Sequence, residues 1–374
     1  MTSRRTPIAI IGGGLSGLYV AHLLQRAGTG FQLLEARERF GGRILSVDGS
    51  GTPSSDGFDL GPSWYWPGMH PRMAGIVREL QLRDFEQYSD GDVLLERSAS
   101  SPPQRFPALR QEPQSMRLVG GTGALVSALV HRLPGDRLHL ASRATRITMT
   151  ADSVRVSFVA GSKDHEIVAD QVILALPPRL IASTLSFEPA IAGDILDLWG
   201  RTATWMAPHA KFFALYERAF WRDAGLSGTA QSGAGPLVEI HDATTASGSA
   251  ALFGFIGLGR AQRLAVGEEA IVRASLAQLV RLFGPRAAEP QATLIKDWTA
   301  DSLTATAADH SAAGHPTPTG GPWVSRAWSK HLSLAASETS ATDPGYLAGA
   351  LDAAERAANE ALSWLSRGRG EKTD

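Results

Sequence analysis

A glycine-rich turn near the start of the chain limits the fold more than any other feature of the sequence. In the stretch IAIIGGGLSGLYVAHLL, residues 8–24, Gly12, Gly14 and Gly17 have G-x-G-x-x-G spacing, directly after a β-branched run and before an apolar one. A strand, a tight turn and a helix in this order present free backbone N–H groups and the positive end of the helix to a pyrophosphate. The stretch therefore predicts a βαβ unit that binds a nucleotide.

A carboxylate at the end of the next predicted strand narrows the choice of nucleotide. Phe31–Leu34 is predicted as that strand, and Glu35 follows it, 18 residues after Gly17. A carboxylate in this position accepts hydrogen bonds from both ribose hydroxyls and repels a 2′-phosphate. NADP is therefore disfavoured, whereas FAD and NAD both remain open on these residues alone.

The composition excludes several classes of function. The 374 residues are enough for two domains, and the formal net charge of -1 argues against a dedicated nucleic-acid or membrane-surface protein. The chain has no cysteine, which excludes disulfides, thiolate metal sites and a cofactor tethered through sulfur, and favours the cytoplasm. No apolar run reaches the roughly 18 to 20 residues of a membrane span, and the histidines show no metal-ligand spacing. We expect a small-molecule partner, no nucleic acid, no membrane and no metal.

Periodicity predicts further elements along the chain. The segment 98–113 is rich in Ser, Pro and Gln and is predicted as a surface loop or lid. Two strands of an antiparallel sheet are predicted at 209–216 and 250–256. The other predicted elements are helices at 14–27, 124–133, 267–283 and 343–365, hairpin strands at 143–158, a buried strand at 171–176 and a loop at 305–321.

A second glycine pair with flanking arginines extends the nucleotide motif. The segment EARERFGGR, residues 35–43, places Arg37 and Arg43 around Gly41 and Gly42 and offers extra cations and backbone donors to a longer dinucleotide. At this point the sequence resembles the flavin-containing amine oxidase family, in which a glycine motif, a ribose glutamate and E-A-x-x-x-x-G-G-R follow one another. The resemblance implies FAD rather than NAD.

Further segments resemble this family in the same order. FDLGPSWYW at 58–66 resembles the segment that leads towards the flavin, LVGGTGALVSAL at 118–129 the glycine pair that returns the chain to the FAD domain, and VILALPP at 172–178 a strand with a double proline. The resemblance implies non-covalent FAD held by Gly12, Gly14, Gly17, Glu35, Arg37, Gly42, Arg43, Gly61, Pro62, Ser63, Ala144, Glu338 and Gly345.

The resemblance also indicates a catalytic lysine. In PHAKFFALYERAFW, residues 208–221, Lys211 lies in an apolar predicted strand that resembles the family strand whose lysine holds a water at flavin N5. A lysine buried among aromatic rings has a lowered pKa, which suits a proton shuttle or an oxygen-activating site. The competing interpretation is a strand-edge lysine that prevents aggregation. Lys211 is the first predicted catalytic residue.

A second predicted catalytic residue lies near the end of the chain. SETSATDPGYLAGALDAAERAANEAL, residues 337–362, resembles the family's G-T-E-T-x segment and final helix. Asp343 is the predicted N-cap and Pro344 the first helical residue, which puts Gly345 at the positive helix end that in the family faces the flavin pyrimidine. Tyr346 matches one of two aromatics that form the family's substrate cage and is the second predicted catalytic residue.

The sequence departs from the family where a second cage aromatic and a flavin-tethering cysteine are expected. Counting from Trp298, which matches a family tryptophan, both fall near Ala307–Asp309, where neither is present. Covalent flavin through sulfur is therefore excluded, and Trp323, His310 or Trp64 remain open as replacements for the missing aromatic. The predicted substrate-binding residues are Trp64, Tyr65, Trp66 and Trp323.

These observations predict an α/β protein of two domains. A doubly wound, Rossmann-like FAD domain comprises residues 1–66, 117–180 and 322–374, and a smaller α+β substrate domain with a mixed or antiparallel sheet comprises 67–116 and 181–321. The resemblance implies oxidation of an amine to an imine by hydride transfer to flavin N5, with reoxidation by dioxygen to give hydrogen peroxide.

Other functions stay open. A flavoenzyme of the same superfamily would oxidise an amino acid, a polyamine or a C–C bond; an amino-acid oxidase needs a pocket arginine, for which Arg72, Arg201 and Arg326 are candidates. A protein that binds FAD without catalysing a redox reaction is a further alternative, and such a protein does not require a lysine that faces flavin N5. An NAD-dependent dehydrogenase differs from all of these because the purified protein would not be yellow.

Overall fold

A computed structural model describes residues 4–107, 112–311, 314–319, 321–324 and 327–370. Its strands are β1 Arg4–Ile11, β2 Phe31–Leu34, β3 Ser46–Val47, β4 Phe58–Asp59, β5 Asp84–Glu86, β6 Asp92–Glu96, β7 Gln104–Phe106, β8 Met116–Leu118, β9 Leu138–His139, β10 Ser142–Met149, β11 Val154–Ala160, β12 Lys163–Leu174, β13 Ser186–Glu188, β14 Ala210–Tyr216, β15 Leu226–Ser232, β16 Leu237–Asp242, β17 Ala250–Ile256, β18 Ala292–Asp297 and β19 Leu332–Leu334. Its α-helices are α1 Leu15–Arg26, α2 Pro71–Glu79, α3 Gly123–His131, α4 Pro178–Thr184, α5 Gly193–Arg201, α6 Phe220–Asp223, α7 Arg260–Val266, α8 Glu268–Phe283 and α9 Leu347–Gly370. Short 3-10 helices lie at Gly135–Arg137, Pro285–Ala288, Trp298–Ala300, Ala307–Asp309 and Ser337–Thr339.

The strand, glycine turn and helix at the start of the chain are present as β1 and α1. Gly12 has a φ of +107°, and a Cβ there would lie 2.6 Å from the carbonyl oxygen of Ala175. A Cβ on Gly17 would lie 1.9 Å from the carbonyl oxygen of Gly12. Glycine is therefore required at both positions, because any side chain would separate the turn from the end of β12 or from α1.

The first sheet is doubly wound, as the sequence predicts. Its strand order is β13-β10-β11-β12-β1-β2-β9, and β19 pairs in addition with β12. β1 is parallel to both β2 and β12, with Ile11 opposite Leu34 on one side and Leu174 on the other. The carboxyl ends of these parallel strands meet at one edge, which is where open α/β sheets bind their ligands.

Helices cover both faces of this sheet. Ile8 and Ile10 share a core with residues of α1, α2, α3 and α9, whereas Ala9 and Ile11 pack with residues of α4 and α5, among them Trp199. The two sets alternate along β1 because successive side chains of a strand point to opposite faces.

The second sheet has the order β18-β14-β17-β16-β15-β6-β7 and is antiparallel except for the parallel pair β15 and β6. The predicted antiparallel pair of strands is β14 with β17, in which Lys211 lies opposite Phe255. Phe212 packs towards α8 on one face of β14. Phe213 packs with β3 and β4 on the other face, and the period of two puts Lys211 on this same face.

Two groups of elements cross the predicted domain boundaries. α2 lies within the predicted substrate segment 67–116, yet its Met73 and Ile76 belong to the core on the first sheet. β13 and α5 follow residue 180, yet they pair with and cover the first sheet. We propose that all three elements belong to the FAD-binding domain, because shared apolar burial and not chain order defines a domain.

Two local predictions are wrong in detail. α9 begins at Leu347, so Asp343 is not its N-cap and Pro344 is not its first residue. Gly345 instead has a φ of +83°, and its N–H donates to the Ser337 carbonyl at 3.1 Å, which forms a turn before the helix. The predicted loop at 98–113 contains β7, paired with β6, and its residues 108–111 lie outside the described part of the chain. Within the described residues, no helix combines the length and apolar character needed to cross a bilayer.

Candidate active site

A cavity of about 390 Å³ lies where the carboxyl ends of β1 and β12 approach the second sheet. The predicted site residues in its wall are Gly12, Gly14, Glu35, Arg37, Gly42, Arg43, Gly61, Pro62, Ser63, Trp64, Trp66, Lys211, Gly345 and Tyr346. They come from segments that are far apart in the sequence. Folding therefore brings most of the predicted residues to one cavity, whose volume is typical of a small-molecule site.

The glycine turn and Glu35 form the end of the cavity next to β1 and β2. A Cβ on Gly14 would meet no atom closer than 3.9 Å, so the backbone there is open to a ligand. The Glu35 carboxylate is buried and accepts the N–H groups of Gly13 at 2.7 Å and Arg37 at 2.8 Å. Each carboxylate oxygen accepts more than one hydrogen bond, so this end fits the diphosphate and ribose of a dinucleotide.

The two arginines of the second glycine motif are both ion-paired. Arg37 donates to Asp301 at 2.8 Å and to Thr304 at 2.9 Å. Arg43 makes a bidentate pair with Glu338, at 2.6 and 3.1 Å. Glu338 is buried and is absent from the described residues that line the cavity; it reaches the ligand space through Arg43, and its role as an FAD anchor stays a prediction.

Ala144 lies in the wall of a second, smaller cavity of about 40 Å³. Gly12, Glu35 and Arg37 line this cavity and the larger one alike. Two cavities that share a wall fit an elongated ligand, so Ala144 remains a candidate contact for the nucleoside end of FAD.

Lys211 is buried, with 2% of its surface exposed, and is one of the residues that line the cavity. Its Nζ donates to the carbonyl oxygens of Asp59 at 3.2 Å and Gly61 at 2.5 Å and to the Ser63 hydroxyl at 3.1 Å. It also lies 4.7 Å from the ring centroid of Phe253. Burial lowers the pKa of Lys211 from an ordinary 10.5 to about 7, so the group gains and loses a proton near neutral pH.

Two buried charged side chains act on Lys211. The Asp59 carboxylate opposes the lowering of the lysine pKa, and the Arg117 guanidinium adds to it. Oδ1 of Asp59 accepts from Ser46 at 2.6 Å and from the N–H of Thr122 at 2.8 Å, whereas Oδ2 has no hydrogen-bond partner in the described residues. Burial raises the pKa of the Asp59 carboxyl and lowers that of Arg117.

Aromatic rings form the wall opposite the glycine turn. Trp64 donates its indole N–H to Gln87 at 2.7 Å, and Trp66 meets Tyr346 edge to face with ring centroids 6.2 Å apart. The His315 ring lies tilted against Tyr346, with ring centroids 4.6 Å apart, and it also contacts Trp205 at 4.3 Å. His315 is thus the aromatic ring nearest to Tyr346 in the described part of the chain, but it is not among the described residues that line the cavity.

Two predicted substrate-binding residues lie elsewhere. Tyr65 is 3% exposed, belongs to the core on the first sheet, and donates its hydroxyl to Asp84. Trp323 packs in the opposite core, where its carbonyl accepts the indole N–H of Trp199 at 2.9 Å. Neither is among the described residues that line the cavity. The structure therefore does not bring these two residues to the cavity, because alternate residues of an aromatic run point in opposite directions, and an apolar tryptophan fits a core as well as a pocket.

The cavity also has lining residues that sequence reasoning missed, among them Trp205, Phe255 and Glu239. Trp205 packs against Gly345: a Cβ added to Gly345 would lie 2.7 Å from the Cβ of Trp205. Glu239 follows a valine in β16, and a charged residue on a strand normally indicates a solvent-facing side. Of these residues, Phe255 is the one that the sequence could have indicated, because it alternates with Phe253 along β17. Using that alternation requires knowing that β14 pairs with β17, which places both rings beside Lys211.

The region that lacks the family's cysteine and second aromatic holds a buried carboxylate instead. Asp309 accepts from Arg179 at 2.6 Å and from the N–H of Thr306 at 2.9 Å. This pair fixes the turn at Ala307–Asp309 to α4. The turn therefore has a structural anchor in place of a flavin attachment.

Comparison with known proteins agrees with this arrangement. The family model described as flavin containing amine oxidoreductase matches residues 15–116 and 96–362. Flavin-containing amine oxidase A of Sus scrofa is 24% identical, over 96% of this chain and 85% of the relative. Wild-type putrescine oxidase bound to putrescine has a TM-score of 0.78 at 19% identity, over 96% of this chain and 100% of that one. Cyclohexylamine oxidase from Brevibacterium oxydans IH-35A has a TM-score of 0.75 at 20% identity, over 96% of this chain and 99% of that one.

The structural matches show the fold, and the family match covers most of the chain. The predicted fold class and FAD as cofactor are thereby confirmed. The chain belongs to the flavin-containing amine oxidoreductases, enzymes that oxidise amines with FAD.

Proposed function

We propose that the enzyme oxidises an amine to an imine by hydride transfer to flavin N5, and that dioxygen reoxidises the cofactor with formation of hydrogen peroxide. The position of Lys211 carries this proposal, because a buried amino group whose pKa lies near 7 is in the cavity wall. Bound FAD supplies the two-electron acceptor, and the protein supplies binding, desolvation and proton transfer.

The cavity wall favours the reactive form of the substrate. Hydride leaves the carbon next to a neutral amine, not next to an ammonium. Trp64, Trp66, Trp205, Phe255 and Tyr346 surround the space with aromatic surface. Such a poorly hydrated environment disfavours the ammonium and therefore lowers the pKa of a bound amine.

The start of α9 contributes a favourable electrostatic field. Tyr346, Leu347 and Ala350 line the cavity, so the first turn of the helix lies at its edge. The N–H groups of a first helical turn have no partners within the helix, and the helix dipole is positive there. This end would stabilise the negative charge that reduction places on the bound cofactor.

Glu239 indicates the class of amine. It is the carboxylate of the lining residues that lies apart from the glycine turn, and it accepts a hydrogen bond from His241 at 2.7 Å. This bond keeps the pKa of the Glu239 carboxyl below its ordinary value, so the group is charged at neutral pH. We therefore propose an amine with a second positive charge, a diamine, whose distal ammonium lies at Glu239. The putrescine bound to one of the structural relatives is an amine of this kind.

The charges in the wall also argue against an amino-acid substrate. The arginines among the described lining residues are Arg37 and Arg43, and each is paired with a carboxylate. Of the candidates raised by the sequence, Arg72 is paired with Asp352 and Glu355, and Arg326 lies outside the described residues. No described arginine of the wall is thus free to bind a substrate carboxylate.

The decisive experiment follows the flavin spectrum under anaerobic conditions while butylamine, putrescine and an amino acid are added separately. Bleaching by an amine, with recovery on admission of air and formation of hydrogen peroxide, is the expected result. A yellow protein that no amine bleaches would refute the proposed reaction.

Glu239→Gln tests the substrate class. We expect its KM for putrescine to rise about fivefold, close to 1 kcal/mol, while its KM for butylamine stays unchanged; the effect is modest because the side chain of Glu239 is 48% exposed. Glu217→Gln, at an exposed residue outside the cavity wall, is the matched control. Equal changes for the two amines would contradict a role of Glu239 in selecting a diamine.

A further inference from the structure

The three hydrogen-bond acceptors around Lys211 differ in what they do with a proton. An ammonium has three N–H donors, and here they are directed at the carbonyl oxygens of Asp59 and Gly61 and at the hydroxyl of Ser63. A backbone carbonyl accepts a hydrogen bond and passes no proton on. A hydroxyl accepts one proton and donates another. Of these three partners, Ser63 is the one that is able to pass a proton on.

Ser63 is hydrogen-bonded to Lys211 and lies, like the lysine, among the residues that line the ligand space. It is 6% exposed and lines the cavity. Its Oγ accepts from Lys211 at 3.1 Å, and within the described residues no group accepts the Ser63 hydroxyl proton. This O–H is consequently available to a group in the cavity.

The same geometry suits both charge states of the lysine. As an ammonium, Lys211 donates to Ser63. As a neutral amine it has two N–H donors, which match the carbonyls of Asp59 and Gly61, and a lone pair that accepts the Ser63 O–H. The rings of Phe253 and Phe255 enclose the amino group at 4.7 and 5.3 Å. The side chain thus changes its charge without moving.

We propose that Ser63 is a proton relay between Lys211 and the cavity, an inference that rests on the proposed function. In one direction the Ser63 proton passes to an acceptor in the cavity while a proton of Nζ passes to Oγ. One O–H bond breaks and another forms at Ser63, Lys211 loses one proton, and no electrons move.

The relay balances the protons of the two half-reactions. Formation of hydrogen peroxide from dioxygen takes two electrons and two protons, of which the reduced cofactor brings both electrons and one proton. Lys211 supplies the second proton through Ser63. The substrate ammonium must lose one proton before it is oxidised, and the reverse path returns that proton to Lys211. A lysine pKa of about 7 suits both transfers at neutral pH.

The charged groups that face Lys211 are the Asp59 carboxyl, which favours its protonated form, and the Arg117 guanidinium, which disfavours it. Neither is among the described residues that line the cavity. Asp59 and Arg117 determine how strongly Lys211 binds its proton, and Ser63 provides the route by which that proton reaches the cavity.

The kinetic test uses Ser63→Ala, Ser63→Thr and, as matched control, Ser275→Ala. Ser275 is a buried serine of α8 whose hydroxyl has no described partner. After anaerobic reduction by amine, we expect Ser63→Ala to react with dioxygen at least tenfold more slowly, and Ser63→Thr and Ser275→Ala to react at close to the wild-type rate. The wild-type rate should fall as pH rises above about 7, where Lys211 loses its proton, and this dependence should be absent in Ser63→Ala.

The second readout does not depend on turnover. The sequence contains five lysines, Lys163, Lys211, Lys296, Lys330 and Lys372, so a protein with 13C-labelled lysine gives few NMR signals, and Lys211→Met identifies the one of interest. Loss of an acceptor for a charged donor should move the titration midpoint of Lys211 down by about one pH unit in Ser63→Ala, and leave it unchanged in Ser275→Ala.

The outcomes separate the relay from the proposed function. An unchanged midpoint, or a shifted midpoint with reoxidation of Ser63→Ala at the wild-type rate, would overturn the relay. Loss of the rate in Ser63→Ala that Ser63→Thr restores would support it. If no amine reduces the wild-type flavin, the proposed function fails, and the NMR titration still decides whether the Ser63 hydroxyl stabilises the charged form of Lys211, without which the relay has no basis.

Discussion

The buried amino group of Lys211 makes the stability of the enzyme depend on pH above neutrality. Its pKa is about 7 in the folded protein and 10.5 as an ordinary lysine. Between these values the unfolded chain binds more protons than the native one, so the free energy of unfolding rises with pH. The full difference, about 5 kcal/mol, is lost as pH falls from 10.5 to 7. Between pH 7 and pH 9 the contribution of Lys211 amounts to a gain of about 2 kcal/mol.

Lys211→Met removes this contribution and keeps a chain of similar length. The assay is urea unfolding of the purified wild type and variant at pH 7, 8 and 9, with the difference between the two free energies of unfolding as the measured quantity. Titrating groups that do not interact with Lys211 cancel in this difference, which should change by about 2 kcal/mol in favour of the wild type as pH rises to 9. Lys163→Met, at an exposed residue, should follow the wild type at every pH.

Parallel pH dependences of the wild type and Lys211→Met would refute the reasoning. That result would mean that the lysine titrates in the folded protein as it does in water. Its proposed proton exchange near pH 7 would then have no physical basis.

Three further predictions concern the cofactor and the cavity wall. Lys211→Met should retain FAD, but its reoxidation by air should slow at least tenfold, about 1.4 kcal/mol of barrier; an unchanged rate in stopped-flow mixing would remove the lysine from the mechanism. Gly14→Ala should unfold within about 2 °C of the wild type without added FAD but retain less cofactor, because a Cβ on Gly14 would lie no closer than 3.9 Å to any atom. Gly17→Ala should lose both thermal stability and cofactor, because its Cβ would lie 1.9 Å from a carbonyl oxygen. Equal melting temperatures of the two variants would contradict this difference. Arg43→Ala leaves the Glu338 carboxylate buried without its cation and should cost about 3 to 5 kcal/mol of stability; Arg43→Ala combined with Glu338→Gln should recover part of it in the same unfolding assay, and no recovery would argue against the pair as the cause.

Local features of the sequence predicted local structure well. The glycine spacing specified β1, the turn and α1, because only glycine tolerates the approach of Gly12 and Gly17 to neighbouring carbonyls. The apolar strand that contains Lys211 is β14, as predicted, and the lysine is buried rather than at an exposed strand edge. These predictions succeeded because their causes lie within a few residues of the chain.

The sequence did not show which of several apolar environments a side chain occupies, nor where the last helix begins. Tyr65 and Trp323 are aromatic residues of a kind common in binding sites, but both lie in hydrophobic cores. The start of α9 was predicted four residues too early, because a backbone hydrogen bond from Gly345 to Ser337 replaces the expected cap at Asp343. Glu239 gave no signal, since its place in the wall depends on the pairing of β16 with β17.

The sequence by itself determined the βαβ unit, its nucleotide-binding turn and the absence of any cofactor tethered through cysteine, since these follow from short-range sterics and from composition, whereas the choice of FAD came from the family resemblance. Only the tertiary structure decided what surrounds the reacting atoms. It put Lys211, Ser63 and Tyr346 in one wall, brought His315 into contact with Tyr346 and added Glu239 to the same cavity. The physical reason is that these neighbours are joined by sheet pairing and core burial between segments far apart in the chain, and no local pattern records which distant side chains share a cavity.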